Sequence, residues 1–159
     1  MRKEDISVRE LVKECLAVKG GLAEGNGVAF ELDLEDPDAL ISGDRALLRT
    51  AVNNLIDGAV RYNRQGGRVT ITHRSELTRE SLVVADSGDG IPYEELRSMQ
   101  ELICRGSVPV VDDVEAMDRR LIGLTIVRDV ADLHGGRVGV RSVPGEGTAI
   151  SIHLPRNAA

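Results

Sequence analysis

The sequence predicts an α+β fold, a two-layer sandwich in which helices cover one face of a mixed, mostly antiparallel sheet. Two observations predict this class. Short apolar segments occur twice as neighbouring pairs joined by polar turns, and helix-periodic segments lie before and between these pairs. Each pair is expected to form an antiparallel hairpin, and 159 residues correspond to about one domain. Because aromatic residues make up only 2%, the core must be aliphatic.

The composition restricts the classes of function. A hydrophobic content of 42% and a charged content of 29% are typical of a folded globular protein. The formal net charge of −6 argues against nucleic-acid binding, which needs basic surface to displace counterions. No apolar run approaches the ~18 residues of a membrane span, so we expect a cytoplasmic domain without direct membrane contact. Cys15 and Cys104 fit no metal-binding spacing, and Cys15 is predicted to lie in the core.

Helix and strand signals follow each other along the first half of the chain. Ser7 and Glu10 form a capping box that begins a helix. The alternation of apolar and polar residues over Val28–Leu34 predicts a half-buried strand. Asp44 caps a long helix that runs to about Tyr62 and carries an aliphatic stripe on its buried side.

The second half is predicted to contain a hairpin, two helices and another hairpin. Pro92 fits the first turn of a helix, where its missing N–H costs nothing. The double glycine at 135–136 ends the second helix. The expected strands are 69–73, 81–86, 137–142 and 148–154, the second helix is 121–134, and the acidic segment 106–117 is irregular.

A small-molecule site is predicted where the strand 81–86 ends. Asp86 closes this apolar segment, and Gly88 and Gly90 follow within four residues, which allows backbone to approach a ligand closely. On the long helix, offsets of four, seven and eight place a polar row on one side: Asn54, Gly58, Arg61 and Tyr62. Solvent exposure and ordinary turns explain the row and each glycine cluster singly, but their combination indicates a binding site.

Four segments together resemble the ATP-binding domain of sensor histidine kinases, which belongs to the GHKL superfamily with the Bergerat fold. They are NNLIDGAVRYN, VADSGDGIP, IGLTIVRDVADLHGG and VPGEGTAISIHLP, which look like the N, G1, G2 and terminal glycine–threonine boxes. The resemblance runs from about Val8 to Pro155. It implies an α/β sandwich, and we expect 1–159 to be a single ATP-binding domain, with a core of about 8–155, that lacks dimerisation and phosphoacceptor helices.

The resemblance also assigns roles to individual residues. Asp86 would accept a hydrogen bond from the adenine amino group, since a carboxylate offers only acceptors and would disfavour guanine. Thr148 would bind beside it, Tyr62 would contact the nucleotide, and Arg61 replaces a usual lysine near the phosphates. The implied ATP-binding residues are Asn54, Arg61, Tyr62, Asp86, Gly88, Gly90, Ile91, Gly123, Leu124 and Thr148.

The sequence departs from the family pattern at the phosphate end. The family has two asparagines one helical turn apart, the second of which helps to hold Mg²⁺; Asn54 matches the first, but Gly58 occupies the second position. Asp57 lies about 100° around the helix, so we do not expect it to replace the missing amide. The G2 box keeps only Gly123 of its three glycines, and Gln100, Leu102 and Ile103 replace phenylalanines and an arginine of the lid box. Metal and triphosphate handling are therefore expected to be impaired, with Asn54 as a weak Mg²⁺ ligand.

Basic residues near the lid have two interpretations. Arg105, Arg119 and Arg120 are candidates to supply positive charge in place of the metal, and solvated positions are the alternative. No histidine is followed by the acidic residue of the family's phosphoacceptor helix, so His134 and His153 are predicted to be structural. The phosphoacceptor histidine is therefore expected outside the chain.

Three hypotheses follow from these features. The first is the catalytic domain of a sensor histidine kinase, cytoplasmic and part of a larger sensor, that transfers the γ-phosphate of ATP and works with a histidine-containing dimerisation domain and a response regulator. The second is a degenerate domain that senses nucleotide or docks to proteins of a phosphorelay. The third, an ATP-hydrolysing GHKL branch, is disfavoured because Thr50 stands where a water-activating glutamate is usual.

Overall fold

The computed structural model describes residues 1–105 and 119–156, with only the backbone at 105 and 119. Seven strands and four helices lie within this part of the chain. In order they are β1 (Glu4–Ser7), α1 (Val8–Gly25), β2 (Ala29–Leu34), β3 (Leu40–Gly43), α2 (Arg45–Arg61), β4 (Arg68–Ser75), β5 (Arg79–Asp86), α3 (Tyr93–Arg105), α4 (Arg119–Leu133), β6 (Arg137–Val143) and β7 (Gly147–Pro155).

The main sheet has five strands in the order β2-β4-β5-β7-β6. Only β2 and β4 pair in parallel within it, and the other neighbours are antiparallel. The two predicted hairpins correspond to β4–β5 and β6–β7. The mixed, mostly antiparallel sheet of the predicted α+β fold is confirmed.

Side chains alternate across the sheet because successive residues of a strand point to opposite faces. Val69, Ile71 and Val84 are buried on the face that the helices cover, whereas Thr70 and Thr72 on the opposite face are half-buried. The covered face and the helices form one aliphatic cluster around residues such as Ile56 and Leu124.

The helix starts follow from local capping. Ser7 Oγ accepts a hydrogen bond from the Glu10 N–H at 3.3 Å, as the capping box predicted. Asp44 Oδ1 accepts the Leu47 N–H at 3.1 Å and caps α2, which ends at Tyr62. Cys15 is buried in α1, as predicted, and burial raises the pKa of its thiol to about 11.

Two short strands were not predicted. β1 and β3 pair antiparallel in a separate two-stranded sheet, with Ile6 opposite Ile41 and both side chains buried. Each strand has only four residues, too few for an alternation to stand out in the sequence. The predicted irregular segment 106–117 lies outside the described residues.

α2 and α4 pack against each other in opposite directions. At one end, the Asp44 N–H donates to His134 Nε2 at 3.0 Å, and His134 Nδ1 lies 2.7 Å from the Val130 carbonyl oxygen. Those two contacts require a neutral ring with its proton on Nδ1. At the other end, Tyr62 of α2 meets Arg120 of α4. Within residues 1–105 and 119–156, no helix is both long and apolar enough to cross a membrane.

Candidate nucleotide site

Asp86 stands at the end of β5 on the face of the sheet that the helices cover, opposite Val69 of β4. Its Oδ1 accepts hydrogen bonds from the Gly88 N–H at 2.9 Å and the Thr148 N–H at 3.2 Å. Burial raises the pKa of this carboxyl, against the opposing effects of the two backbone donors and of Arg120. Two donors on one oxygen fix the orientation of the carboxylate, so Asp86 is a preorganised acceptor.

The turn after Asp86 needs glycine for packing against the protein's own backbone. A Cβ at Gly88 would contact the carbonyl oxygen of Tyr62 at the end of α2. Gly90 has φ +81°, and a Cβ there would lie 2.7 Å from the Val143 carbonyl oxygen. These contacts hold the turn against α2 on one side and against the β6–β7 turn on the other.

A hydroxyl pair connects the same turn with β6 and β7. Ser142 Oγ accepts the Ile91 N–H at 2.7 Å and lies 3.0 Å from Thr148 Oγ1. The Thr148 residue is buried, and its hydroxyl is next to Ser142. Ile91 itself lies in the core, with 1% of its surface exposed, so it supports the turn from below.

Arg64 was missed by the sequence analysis, although it joins the two turns of the site. Its Nη2 donates to the carbonyl oxygens of Gly88 at 3.0 Å and Gly145 at 3.2 Å. The same nitrogen lies 3.4 Å from Asp89, whose side chain is 93% exposed. No motif marks Arg64, because the contact depends on two turns that are distant in sequence.

Arg120 lies over the ring of Tyr62, with its guanidinium carbon 3.8 Å from the ring centroid. This distance is within the range of a cation–π contact. Only 13% of the Arg120 side chain is exposed, and Glu95 Oε1 lies 3.9 Å away. Beside Asp86, Arg120 and Tyr62 line a cavity of about 20 Å³. That volume accommodates about one water molecule, not a purine.

A larger cavity of about 340 Å³ opens between α2 and α4. It brings together six residues predicted from the sequence: Asn54, Gly58, Arg61, Tyr62, Gly123 and Leu124. Asp86 and Thr148 line the small neighbouring cavity, which shares Gly58, Tyr62 and Arg120 with the large one. The structure therefore places the residues expected to bind the base next to those expected near the phosphates.

Asn54 and Gly58 face the large cavity from consecutive turns of α2. Asn54 Nδ2 donates to the Thr50 carbonyl oxygen at 2.8 Å, and its Oδ1 lies 3.5 Å from the Cβ position of Gly123. A Cβ built at Gly58 meets nothing within 4 Å. The cavity therefore has room for a side chain at position 58, and the packing of the helix does not require glycine there.

Asp57 differs from its expected position because it also lines the large cavity. Its Oδ1 lies 3.3 Å from Lys19 Nζ of α1, and its Oδ2 lies 2.9 Å from Arg61 Nε. Lys19 lines the same cavity and was not predicted. Its position depends on the packing of α1 against α2, which no local pattern in α1 indicates.

Not every predicted residue lies at a cavity wall. The described walls do not include Gly88, Gly90 or Ile91, which shape the turn below the site. The side chains of Arg105 and Arg119 lie outside the described part of the chain. Among the described residues, no group of three or more His, Cys, Asp or Glu side chains is arranged to hold a metal ion.

The three histidines have structural contacts. His73 is fully buried and lies 2.7 Å from Glu80 Oε2. His153 lies between the hydroxyls of Ser81, at 2.8 Å, and Ser151, at 3.0 Å. With His134 joining α4 to the start of α2, each ring is engaged within the fold.

Comparison with known proteins agrees with this arrangement. Residues 43–158 match the family of histidine kinase-, DNA gyrase B- and HSP90-like ATPases. The sensor protein DivL of Caulobacter vibrioides is 31% identical over 96% of the chain, which spans 19% of DivL. The mycobacterial sensor histidine kinase MprB is 28% identical with a TM-score of 0.74, covering 97% of both chains. The catalytic domain of histidine kinase ThkA has a TM-score of 0.80 at 21% identity, covering 98% of this chain and 96% of that one.

The chain covers very different shares of the proteins that it matches. The chain spans about a fifth of DivL, whereas it covers nearly the whole of the MprB and ThkA structures. The family match at residues 43–158 contains both α2 and the turn after Asp86. The chain belongs to the histidine kinase-, DNA gyrase B- and HSP90-like ATPase family and is a domain of the sensor histidine kinase type.

Proposed function

We propose that this chain binds ATP between α2 and α4 and donates the γ-phosphate to a histidine outside the chain. The observation that carries the proposal is the fixed Asp86 carboxylate, which adjoins the cavity lined by Asn54 and Gly123. A carboxylate oriented by two backbone donors costs little to reorganise when it accepts a hydrogen bond. We also propose that 1–159 functions as one domain.

The proposed roles are those that the family resemblance implies, and they agree with the positions of the residues. Asp86 and Thr148 bind the adenine edge, Tyr62 contacts the nucleotide, and Arg61 neutralises phosphate charge. Gly123 and Leu124 form the α4 wall, where a side chain at Gly123 would lie near Asn54. Gly88, Gly90 and Ile91 act indirectly, by fixing the turn that carries Asp86.

The residues present do not fit a Mg²⁺ site with two side-chain ligands. Asn54 provides one amide oxygen towards Gly123, but Gly58 provides none. The Asp57 carboxylate is already paired with Lys19 and Arg61. Mg²⁺ prefers near-octahedral oxygen ligation and often retains several waters, so Asn54 supports at most a weak protein contribution.

The partners are inferred from related proteins. A structure of full-length ShkA contains AMPPNP and aligns with a TM-score of 0.79 at 21% identity. ThkA has been solved in complex with the response regulator TrrA. By analogy, the partners of this chain are adenine nucleotide, a histidine-containing dimerisation domain and a response regulator.

Calorimetric titration tests nucleotide binding directly. The chain is titrated with ATP and with adenosine, each with Mg²⁺ and with EDTA. We expect both ligands to bind, because both carry the adenine base that Asp86 is proposed to recognise. Adenosine lacks phosphates, so its titration measures the Asp86 end alone. No heat or chemical-shift change with millimolar ATP would contradict the proposal.

A transfer assay then tests the kinase step. A histidine-containing dimerisation domain is supplied in trans with radiolabelled ATP, and acid-labile label on that domain is the expected product. Asp86→Asn provides the matched negative control.

A second candidate function is a degenerate domain that binds nucleotide without transferring phosphate. Gly58 favours it, since glycine at this position removes a side-chain metal ligand that phosphate transfer would use. ATP binding without label transfer would select this candidate over the first.

A further inference from the structure

A cluster of two cations and one carboxylate lines the large cavity beside Gly58. Lys19 of α1 and Arg61 of α2 both contact Asp57, at 3.3 and 2.9 Å. The side chains of Lys19 and Asp57 are only 23% and 24% exposed. We call Lys19, Asp57 and Arg61 the cationic triad.

The cationic triad carries a net charge of +1, from two positive groups and one negative group. Its partial burial weakens solvent screening compared with a surface ion pair. The triad lies next to open space, because a Cβ at Gly58 would meet nothing within 4 Å. An excess positive charge beside an open, solvent-connected cavity is a site for an anion.

Lys19 and Arg61 differ in what they can offer such an anion. Arg61 contacts Asp57 through Nε and its side chain is 40% exposed, so its two terminal nitrogens are not used in that contact. Lys19 Nζ has three donors, and its contact with Asp57 engages one of them. Asp57 therefore positions two cations without consuming all of their donors.

From this arrangement we infer that Lys19 joins Arg61 in binding the phosphate chain of the nucleotide and that Asp57 is their shared counter-ion. The inference rests on the proposed nucleotide site and extends it, since α1 then contributes a binding residue. Phosphate charge is neutralised by the triad where the chain lacks a second metal ligand. ATP affinity therefore depends weakly on Mg²⁺.

The competing role for Asp57 is that of a metal ligand released from its two cations. The two roles predict opposite effects of Asp57→Asn. As a counter-ion, its loss leaves Lys19 and Arg61 with more positive charge for phosphate, so ATP affinity rises. As a metal ligand, its loss lowers affinity only when Mg²⁺ is present.

The experiment measures the Kd of ATP and adenosine by calorimetry, in EDTA and in Mg²⁺, for the whole chain and its variants. Lys19→Gln is expected to weaken ATP binding about tenfold in EDTA, as for the loss of a charge-assisted hydrogen bond. Adenosine binding stays unchanged, and Lys19→Arg retains most of the ATP affinity. Asp57→Asn is expected to tighten ATP binding several-fold in EDTA.

Lys13→Gln is the matched control, because Lys13 is exposed on the same helix and its substitution removes the same charge. Three results would overturn the inference: ATP binding by the wild type only with Mg²⁺, equal effects of Lys19→Gln and Lys13→Gln, or a Mg²⁺-specific loss in Asp57→Asn. If Lys19→Gln fails to fold, Lys19→Arg and Asp57→Asn decide. A wild type that binds neither ATP nor adenosine would instead contradict the proposed function.

Discussion

The two ends of the cavity system differ in how closely they follow the family pattern. At the base end, Asp86, Thr148 and the glycine turn are present and are held by backbone hydrogen bonds. At the phosphate end, Gly58 removes an amide, and charged side chains from α1 and α2 line the wall instead. Under the proposed function, recognition of the base depends on backbone geometry, whereas neutralisation of the phosphates depends on side chains that can be exchanged.

The largest expected effect is at the base end, in Asp86→Asn. The asparagine oxygen keeps both backbone hydrogen bonds, but its amide nitrogen would face the donor amino group of adenine. Leaving that donor unsatisfied costs about 1–3 kcal/mol, or roughly fivefold to 150-fold in Kd. Adenosine titration measures the effect. Asp89→Asn is the control. The Asp89 side chain is 93% exposed, so this variant should bind adenosine with the wild-type affinity.

The same substitution should change the pH dependence of stability. The Asp86 carboxyl has a folded pKa above its ordinary value of 3.8, mainly because of burial. The folded state therefore holds the proton more tightly, and this contribution to stability is lost as the pH rises from 3.8 through the folded pKa. Asp86→Asn should be more stable than wild type at neutral pH.

Urea denaturation at several pH values measures this stability difference. It should shrink as the pH falls through the folded pKa and below 3.8, where the wild-type carboxyl becomes protonated in both states. A constant difference across this range would show that burial of the charge is not its cause.

At the phosphate end, Gly58→Asn tests the consequence of the missing amide. The space around Gly58 is open, so the helix should tolerate the side chain without loss of folding. Asparagine is also a slightly better helix former than glycine, by a few tenths of a kcal/mol. The variant should gain about tenfold in Mg²⁺-dependent ATP affinity, the order expected for restoring one strong polar contact. Gly58→Ala is the control, and an equal gain there would contradict a metal role.

The smallest effect is expected where the two ends meet, in Arg120→Gln. Arg120 covers the Tyr62 ring and lines the small cavity beside Asp86, so a purine must displace it. Loss of a cation–π contact of about 0.5–1 kcal/mol should tighten adenosine binding two- to fivefold. Weaker ATP binding with unchanged adenosine binding would instead assign Arg120 to the phosphates. Arg97→Gln, at an arginine with a 70% exposed side chain, is the control.

Local signals explain why much of the fold was predictable. The caps at Ser7 and Asp44 and the stop at Gly135 depend on a few adjacent residues, and the structure confirms the two caps. β1 and β3 depend instead on pairing between segments separated by more than 30 residues, each only four residues long. Their hydrogen bonds leave no local pattern strong enough to predict a strand.

The site shows the same division. Asp86 and Gly88 could be predicted because the turn chemistry that orients the carboxylate lies within three residues. Lys19 could not, since its position depends on how α1 packs against α2. Arg120 was a candidate for positive charge near the phosphates, but its contact with the Tyr62 ring depends on how α4 packs against α2. Helix periodicity predicted that Asp57 would point away from the site. That prediction could not include the contact of Asp57 with Lys19, which lies on a neighbouring helix.

The two ends of the packing between α2 and α4 are held by different kinds of contact. At the His134 end, the neutral ring is inserted between a backbone donor and a backbone acceptor. At the opposite end, the helices meet through the contact between Arg120 and the Tyr62 ring. A ligand that enters the small cavity beside Asp86 would therefore have to move Arg120 at this end, while the hydrogen bonds of His134 hold the other end in place.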